Sequence, residues 1–373
     1  MNVGVFRETK PLEKRVALTP EGVQKLIEKD LRVHIEFGAG EQSSYSDQQY
    51  EEAGAQMKSR EEILSQTDLL LAVQAPDPEI LKKMKSGAAT VSLMWPLQNS
   101  DYVKQLCELG ISGLAMDTIP RISRAQSMDA LSSMSNIAGY KAALLGANHL
   151  DRYLPMMMTA AGTIPPAKVL VLGAGVAGLQ AIATAKRLGA VVEAFDVRPA
   201  VKEQVESLGA KFVEMPFNES AETDSGYAKE LSDTNKERQK NLIHEHVKKS
   251  DIVITTALIP GKPAPTLITK QMVIDMSAGS VIIDIAAEQG GNCELTKPGE
   301  INRENGVIID GPLNIPSTLA FHASKLYSKN ILSLLNLLID EGRLNFNFDD
   351  EIIANATVTH QGKIISPFVK ENS

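Results

Sequence analysis

Cysteine is nearly absent from this chain. Its 373 residues include only Cys107 and Cys293, far apart and with neither metal-ligand spacing nor a disulfide framework. That points to a reducing compartment. Excess basic charge is missing too: 38 Lys+Arg against 46 Asp+Glu leave a net charge of −8, which repels a phosphate backbone, so no nucleic-acid partner is expected. Long apolar runs are also lacking. The longest, Val169 to Ala185, is broken by Gly173, Gly175, Gly178 and Gln180 and falls short of the ~20 residues of a membrane span. No direct membrane insertion is expected. The opening residues, MNVGVFRETK, are charged and lack the apolar stretch of a signal peptide, which predicts a cytoplasmic chain. His34, His149, His244, His246, His322 and His360 are scattered, and the two that lie close, His244 and His246, would not share a helix face. No metal is assigned. No repeat recurs at a fixed short period.

What is present is an alternation of strands and helices. The length fits two domains rather than one core. NVGVF reads as a short buried strand, TPEGVQKLIEKD as a helix with Thr19 at its cap and Pro20 at its first position, and RVHIEFG as a strand. Helices at Ser46–Ala53 and Ser59–Ser65 follow, then strands at DLLLAVQAP, Ala89–Met94 and Gly113–Ala115. From Ser127 to about Leu150 the pattern becomes a long helix in which Ala138, Ala142 and Ala143 allow close packing. After the break AAGTIPPAK come strands at 168–173, 191–196, 211–213, 251–255, 280–285 and 307–309, a helix at Ser317–Leu338, and a tail beyond Asn345 read as a hairpin or small appendage. The expected fold is α/β: two Rossmann-like doubly wound domains with mainly parallel sheets, joined by long helices across a cleft. The expected domains are 1–126 plus 325–373, and 127–324.

The segment VLVLGAGVAGLQAIATAKRLGA sets GAGVAG after a strand and at the start of a helix, the context a dinucleotide fingerprint needs. Gly173 permits the tight turn, Gly175 lets the backbone approach a pyrophosphate, and Gly178 lets helix and strand pack closely. Val176 opens the helix whose N–H groups would face the phosphates. Asp196 ends the next strand, EAFD, where a carboxylate accepts from both ribose hydroxyls, with Val197 and Arg198 beside it. The acid favours NAD(H) over NADP(H), because a 2′-phosphate would sit against like charge, although Arg198 offers a counter-charge. A glycine turn without ligand and a capping Asp196 are the bland alternatives.

With RETKPLEKRVALTP at its start, VLGAGVAGLQAIATAKRLGA in the middle, and TTALIPGKPAP and IDIAAEQGGN later, the chain resembles the alanine dehydrogenase and nicotinamide nucleotide transhydrogenase superfamily over essentially its whole length. The resemblance separates two branches. The dehydrogenase branch implies an arginine and a lysine on a substrate carboxylate and a histidine as acid/base. Arg15 matches the arginine, but Gln74 stands for the lysine, and Trp95 and Pro96 stand where the histidine would be. The transhydrogenase branch implies a loop with arginine, glutamine and aspartate at set spacing. PRISRAQSMDALSS supplies Arg121, Gln126, Asp129 and Ser132. Asp129 and Ser132 can bond the carboxamide and ribose of a nicotinamide, Arg121 can meet the pyrophosphate, and Gln126 can bridge to a second nucleotide. Without the resemblance, Asp129 reads as a helix-start residue and Arg121 as a solvated loop charge.

The resemblance implies the NAD(H)-binding peripheral component of a proton-translocating transhydrogenase, passing hydride from NADH to NADP+, with NADP(H) held on a partner subunit. Gln126, Arg121 and Asp129 are its expected catalytic residues. It further implies a homodimer, a membrane-spanning proton-channel subunit as partner, and attachment to the inner membrane only through partners. A mobile loop with Gly226 as hinge and Tyr227 as lid is expected, and Thr255, Ala257 and Leu258 line the nucleotide. The chain is expected to be a separate soluble subunit rather than a fragment. Two other readings stay open: an amino-acid dehydrogenase with an altered pocket, keeping Arg15 and taking Glu288 as a polar catalytic group, and a non-catalytic NAD sensor.

Overall fold

The computed structural model describes residues 1–215, 233–259 and 262–372. The chain forms two compact units, Met1–Met134 with Ser317–Ser373, and Ser135–Pro316. The breaks expected at 126/127 and 324/325 fall instead at 134/135 and 316/317 for a hydrogen-bonding reason. Ser127 O is held by Asn330 Nδ2 at 2.9 Å, while Ser317 Oγ and Ser324 Oγ accept the Lys14 and Val16 N–H groups at 2.7 and 2.9 Å. Both flanking stretches are thereby tied to the first unit.

In the first unit, an eight-stranded sheet runs in the order Lys363–Ile364, Thr357–His360, Ser112–Ala115, Ala89–Leu93, Leu69–Gln74, Asn2–Val5, Arg32–Glu36 and Gln56–Lys58. The six strands nearer the N-terminus pair in parallel. Such strands are covered on both faces, so they read as unbroken apolar runs; Leu69 to Val73 are all buried. Helices start where short side chains cap them: Ser46 with Gln49 and Ser59 with Glu62 both make reciprocal capping boxes. Thr19 begins the helix Pro20–Ile27 without a side-chain cap, and Pro20 sets the entry there.

The tail does hold the expected hairpin, Thr357–His360 against Lys363–Ile364, but it is no appendage: Thr357–His360 also pairs antiparallel with Ser112–Ala115 and joins the sheet. The edge of Ser112–Ala115 exposes unpaired backbone groups that local sequence does not announce, and the tail satisfies them. Reading the sequence also missed the helix Ser100–Glu108 and the strands Gln56–Lys58 and Ile301–Glu304. Both strands lie at sheet edges and are largely polar, so they carry little apolar signal.

In the second unit, a seven-stranded sheet runs Lys211–Phe212, Val191–Phe195, Lys168–Leu172, Ile252–Thr255, Val281–Asp284, Val307–Asp310, Ile301–Glu304, parallel except for the last pair. The order turns about Lys168–Leu172, the kind of switch point where α/β sheets bind ligands at the carboxyl ends of their strands. Between the long helix and this sheet, Met157–Thr159 and Gly162–Ile164 form a two-stranded ribbon of their own where only a break was expected. Ala138, Ala142 and Ala143 of the helix Ala130–His149 are buried. The closest approach is at a glycine, for a Cβ on Gly139 would stand 1.9 Å from Ala177 O. Among the described residues no helix is long and apolar enough to cross a membrane.

Gly139→Ala separates packing from propensity. Alanine favours a helix over glycine by ~1 kcal/mol, but here its methyl forces two helix backbones apart at a cost of ~1–3 kcal/mol or more. The expected result is a melting temperature lowered by several degrees. An unchanged or raised value would mean that the two helices do not pack at Gly139.

Candidate functional site

The glycine turn in the second unit is built by close contact. Gly173 has φ +99°, which only glycine adopts freely, and its N–H donates to Phe195 O at 2.8 Å. A Cβ on Gly178 would sit 1.8 Å from Gly173 O, so the helix Val176–Arg187 comes this near its strand only because position 178 is bare. Gly175 is different. It has ordinary backbone angles, and a Cβ there would meet nothing within 4 Å. The space over Gly175 is open, next to a half-exposed Val176 and the unpaired N–H groups of the helix start.

Asp196 follows the strand Val191–Phe195 and is 8% exposed. Its Oδ2 accepts the Ala174 N–H at 2.7 Å, tying it to the glycine turn. Arg198 supplies the rest: its backbone N–H and Nε donate to Oδ1, both at 2.9 Å, and its terminal nitrogen donates to Oδ2 at 2.9 Å. Asp196 caps no helix, as the bland alternative would have it; it fastens its own loop to the glycine turn and stands beside the glycines, where the fingerprint places its acid. Val197 is half-buried beside it.

At the end of the neighbouring strand Ile252–Thr255, Thr256 donates its N–H to Leu172 O at 2.9 Å and its hydroxyl to Gly173 O at 3.0 Å. Thr255 was expected to line a nucleotide. Its side chain is instead fully buried and donates to Asp284 Oδ1 at 2.9 Å, so it supports the site from beneath. Ala257 is half-buried and Leu258 is 45% exposed. Asp284 and Asn292 anchor this end of the sheet and were missed from sequence. The Gly290–Gly291 pair before Asn292, both glycines at positive φ, was the available signal. Glu288 accepts the Asn314 N–H at 2.5 Å. Gly226 and Tyr227 lie outside the described residues.

In the first unit, Arg121 and Gln126 are exposed, and Asp129 and Ser132 are half-buried. Gln126 lies on a 3-10 turn, Ser123–Met128, that is pinned at three points. Asn330 holds Ser127, Ala125 and Met128 are buried, and Arg124 makes a two-pronged ion pair with Asp350 at 2.6 and 2.9 Å. The Arg124 guanidinium holds the Asp350 carboxyl below its usual range. Asp129 then accepts from Ser132 N–H at 2.8 Å and Ser132 Oγ at 2.5 Å, capping the helix that begins at Ala130. The turn is anchored beneath and exposed at Gln126, with Arg121 exposed before it and Asp129 and Ser132 in contact.

The would-be carboxylate clamp is closed. Arg15 is 3% exposed, and its Nε and terminal nitrogen donate to both Glu13 oxygens at 2.7 and 2.6 Å. Gln74 Nε2 donates to the same carboxylate at 2.8 Å. Burial works against this charge, but the Arg15 hydrogen bonds prevail and bring the Glu13 carboxyl down to about 2. Nearby, Glu8 accepts the Val73 N–H at 2.6 Å, and burial pushes its carboxyl up to about 7. Trp95 carries a left-handed φ of +50°, held by Asp117, whose oxygens accept the Met94 and Trp95 N–H groups at 2.6 and 2.9 Å. Burial raises Asp117 to about 6. The histidines are engaged separately: His149 with Asp310, His244 with Asp275 and His246 with Glu193.

Residues 4–138 match the family description alanine dehydrogenase/PNT, N-terminal domain, and residues 142–367 match alanine dehydrogenase/PNT, C-terminal domain. The chain is 48% identical over 377 residues to an NAD(P) transhydrogenase subunit alpha polypeptide of Rhodospirillum rubrum, covering 98% of each. It is 48% identical over 370 residues to the NAD(P) transhydrogenase subunit alpha of Haemophilus influenzae, covering 98% of this chain and 72% of that one. Among solved structures, a transhydrogenase from Sinorhizobium meliloti superposes with a TM-score of 0.89 at 44% identity, covering 98% of this chain and all of that one. An L-alanine dehydrogenase superposes with a TM-score of 0.82 at 26% identity, covering 100% and 99%.

Two measurements follow from the geometry. Gly178→Ala should lower the melting temperature markedly, whereas Gly175→Ala should leave it within a degree or two, and equal losses would mean that the turn is not packed as described. For pH, Glu8 holds its proton in the folded chain to about 7 rather than 4.5, so folding takes up a proton within that window. Its contribution to stability therefore falls as pH rises from 4.5 to 7. Glu8→Gln, which keeps the acceptor for Val73, should flatten that decline in urea titrations, with a remainder from Asp117 in the same direction. A slope identical to wild type would show that Glu8 titrates normally.

Proposed function

Because the chain belongs to the alanine dehydrogenase/PNT family, and is 44–48% identical to transhydrogenases across most of its length, we propose that it is the NAD(H)-binding alpha component of a proton-translocating transhydrogenase. Its role is to hold NADH while hydride passes directly to NADP+ on a partner subunit. The residues present fit a dinucleotide. The open space over Gly175 accepts a pyrophosphate where a side chain would fill it, and the helix Val176–Arg187 points its N–H groups there. Asp196 sits against the turn to receive ribose hydroxyls, and Ala257 and Leu258 offer a backbone edge and an apolar surface.

Bound NADH supplies the hydride; the chain supplies position. In the first unit Arg121, Gln126, Asp129 and Ser132 are assigned to the nicotinamide half, Asp129 and Ser132 meeting the carboxamide and ribose and Gln126 reaching toward the second nucleotide. Transfer between two nicotinamides needs no proton donor, and fixed placement on a pinned turn serves that chemistry.

One observation favours this reading over an amino-acid dehydrogenase: Arg15 is spent on Glu13, with Gln74 on the same carboxylate. A substrate carboxylate would have to break a buried, two-pronged ion pair to gain that cation. We propose further that the chain works as a homodimer, with a membrane-spanning proton-channel subunit and an NADP(H)-binding subunit as partners. On this reading it lies on the cytoplasmic side of the inner membrane through those partners.

The test mixes the chain with an NADP(H)-binding transhydrogenase domain and follows hydride transfer from NADH to an NADP analogue by stopped-flow absorbance. Fast transfer that requires both proteins is expected, and Gln126→Asn should slow it at least tenfold while NADH affinity changes little. Turnover of pyruvate and ammonia by the chain alone would overturn the reading.

A further inference from the structure

The segment after Ile252–Thr255 poses a problem of support. Thr256 makes the last backbone bond to the neighbouring strand, through its N–H to Leu172 O. Beyond it, Ala257 has left the ladder, has only a methyl side chain, and precedes the exposed Leu258. A surface peptide of this kind can satisfy its polar groups with water in many conformations.

Here one buried side chain removes that freedom. Asn292 is fully buried. Its Oδ1 accepts the Ala257 N–H at 3.0 Å, and its Nδ2 donates to Ala257 O at 2.9 Å and to Pro265 O at 2.8 Å. Both backbone groups of one residue are thus read by one carboxamide, as a neighbouring strand would read them. Only an amide has the acceptor and the two donors in one short planar group.

Asn292 is itself fixed from below. Its N–H donates to Asp284 Oδ2 at 2.7 Å, and its carbonyl accepts from Leu267 and Ile268 at 2.8 and 3.0 Å. Asp284 also accepts from Thr255 Oγ1, Ala286 N, Cys293 N and Thr296 Oγ1, all within 3.1 Å. Gly291 is bare for the same reason: a Cβ there would lie 2.7 Å from Asp284 Oδ2. On the other side, Ala257 N lies 3.3 Å from where a Cβ on Gly173 would stand, so the segment borders the glycine turn.

We propose that Asn292 is a positioning residue for the dinucleotide, acting through the Ala257 peptide, which it holds in one orientation beside the Gly173 turn. This rests on the NAD(H) reading given above. Asn292 touches no nucleotide; it sets where Ala257 and Leu258 meet one.

The experiment measures the NADH dissociation constant by nucleotide fluorescence, together with melting temperature, for wild type, Asn292→Ala, and His149→Ala. The last removes a partly buried bond to Asp310 in the same unit, on a strand three places from Lys168–Leu172 in the sheet. Asn292→Ala should weaken NADH binding about tenfold or more, while His149→Ala, with a comparable loss of melting temperature, should stay within twofold. In the assembled enzyme the Asn292→Ala loss should fall on KM for NADH rather than on kcat. If Asn292→Ala does not fold, Asn292→Asp, which keeps the acceptor for Ala257 N–H but repels Ala257 O, is read the same way. Equal shifts in both variants, or no shift in either, with wild type binding NADH, would overturn the role of Asn292. Failure of wild type to bind NADH would instead overturn the dinucleotide reading.

Discussion

The second unit depends on a contact that only hydrogen permits. Gly178 must face Gly173 O with no side chain between them, since a Cβ would come within 1.8 Å. That approach brings the helix Val176–Arg187 down onto the strand Lys168–Leu172 and aims its start at the carboxyl ends of the central strands. Several neighbours then converge on the same few atoms. Asp196 reaches back to Ala174, the Thr256 hydroxyl reaches Gly173 O, and Ala257 borders the turn. A shifted turn would leave the Asp196 carboxylate and the Thr256 hydroxyl without the partners they now have there.

The first unit solves a comparable problem with hydroxyls. The helix Ala320–Leu338 carries Ser324 and Ser328 one turn apart, and they accept the N–H groups of Val16 and Thr19. The extended segment around Arg15 therefore has backbone partners although it belongs to no strand. On the same helix, Asn330 holds Ser127, and Tyr327 donates to Ala72 O at 3.0 Å. One helix thus supports both the buried Arg15–Glu13 pair and the turn that presents Gln126. Polar residues in a buried helix look like poor core material in sequence; here Ser324, Ser328, Tyr327 and Asn330 each meet a backbone group, most of them on segments outside any strand.

How far the sequence could be read follows from how locally each feature is determined. Strands such as Leu69–Gln74 and Lys168–Leu172 announce themselves because parallel, doubly covered strands are apolar throughout. The glycine turn and Asp196 are legible because their roles depend on neighbours within one βαβ unit. The tail hairpin is legible as a hairpin, but its docking onto Ser112–Ala115 is not, since that edge is more than two hundred residues away in sequence. Thr255 lies on the expected strand but faces inward, because its contact is with Asp284 at the end of a neighbouring strand some thirty residues downstream. Asn292 was passed over for the same reason. A buried asparagine is recognisable only when the two backbone groups it satisfies are known.

The two units also differ in when they can be completed. Residues 135–316 are continuous, whereas the first unit needs both Met1–Met134 and Ser317–Ser373. On a ribosome the second unit has all its strands while the first still lacks the helix that accepts the Val16 and Thr19 N–H groups and the strand that covers Ser112–Ala115. The stretch of chain made first is therefore the last to be finished. Until then its open sheet edge is exposed to other nascent chains, and the interval is set by the time needed to translate everything after Met134.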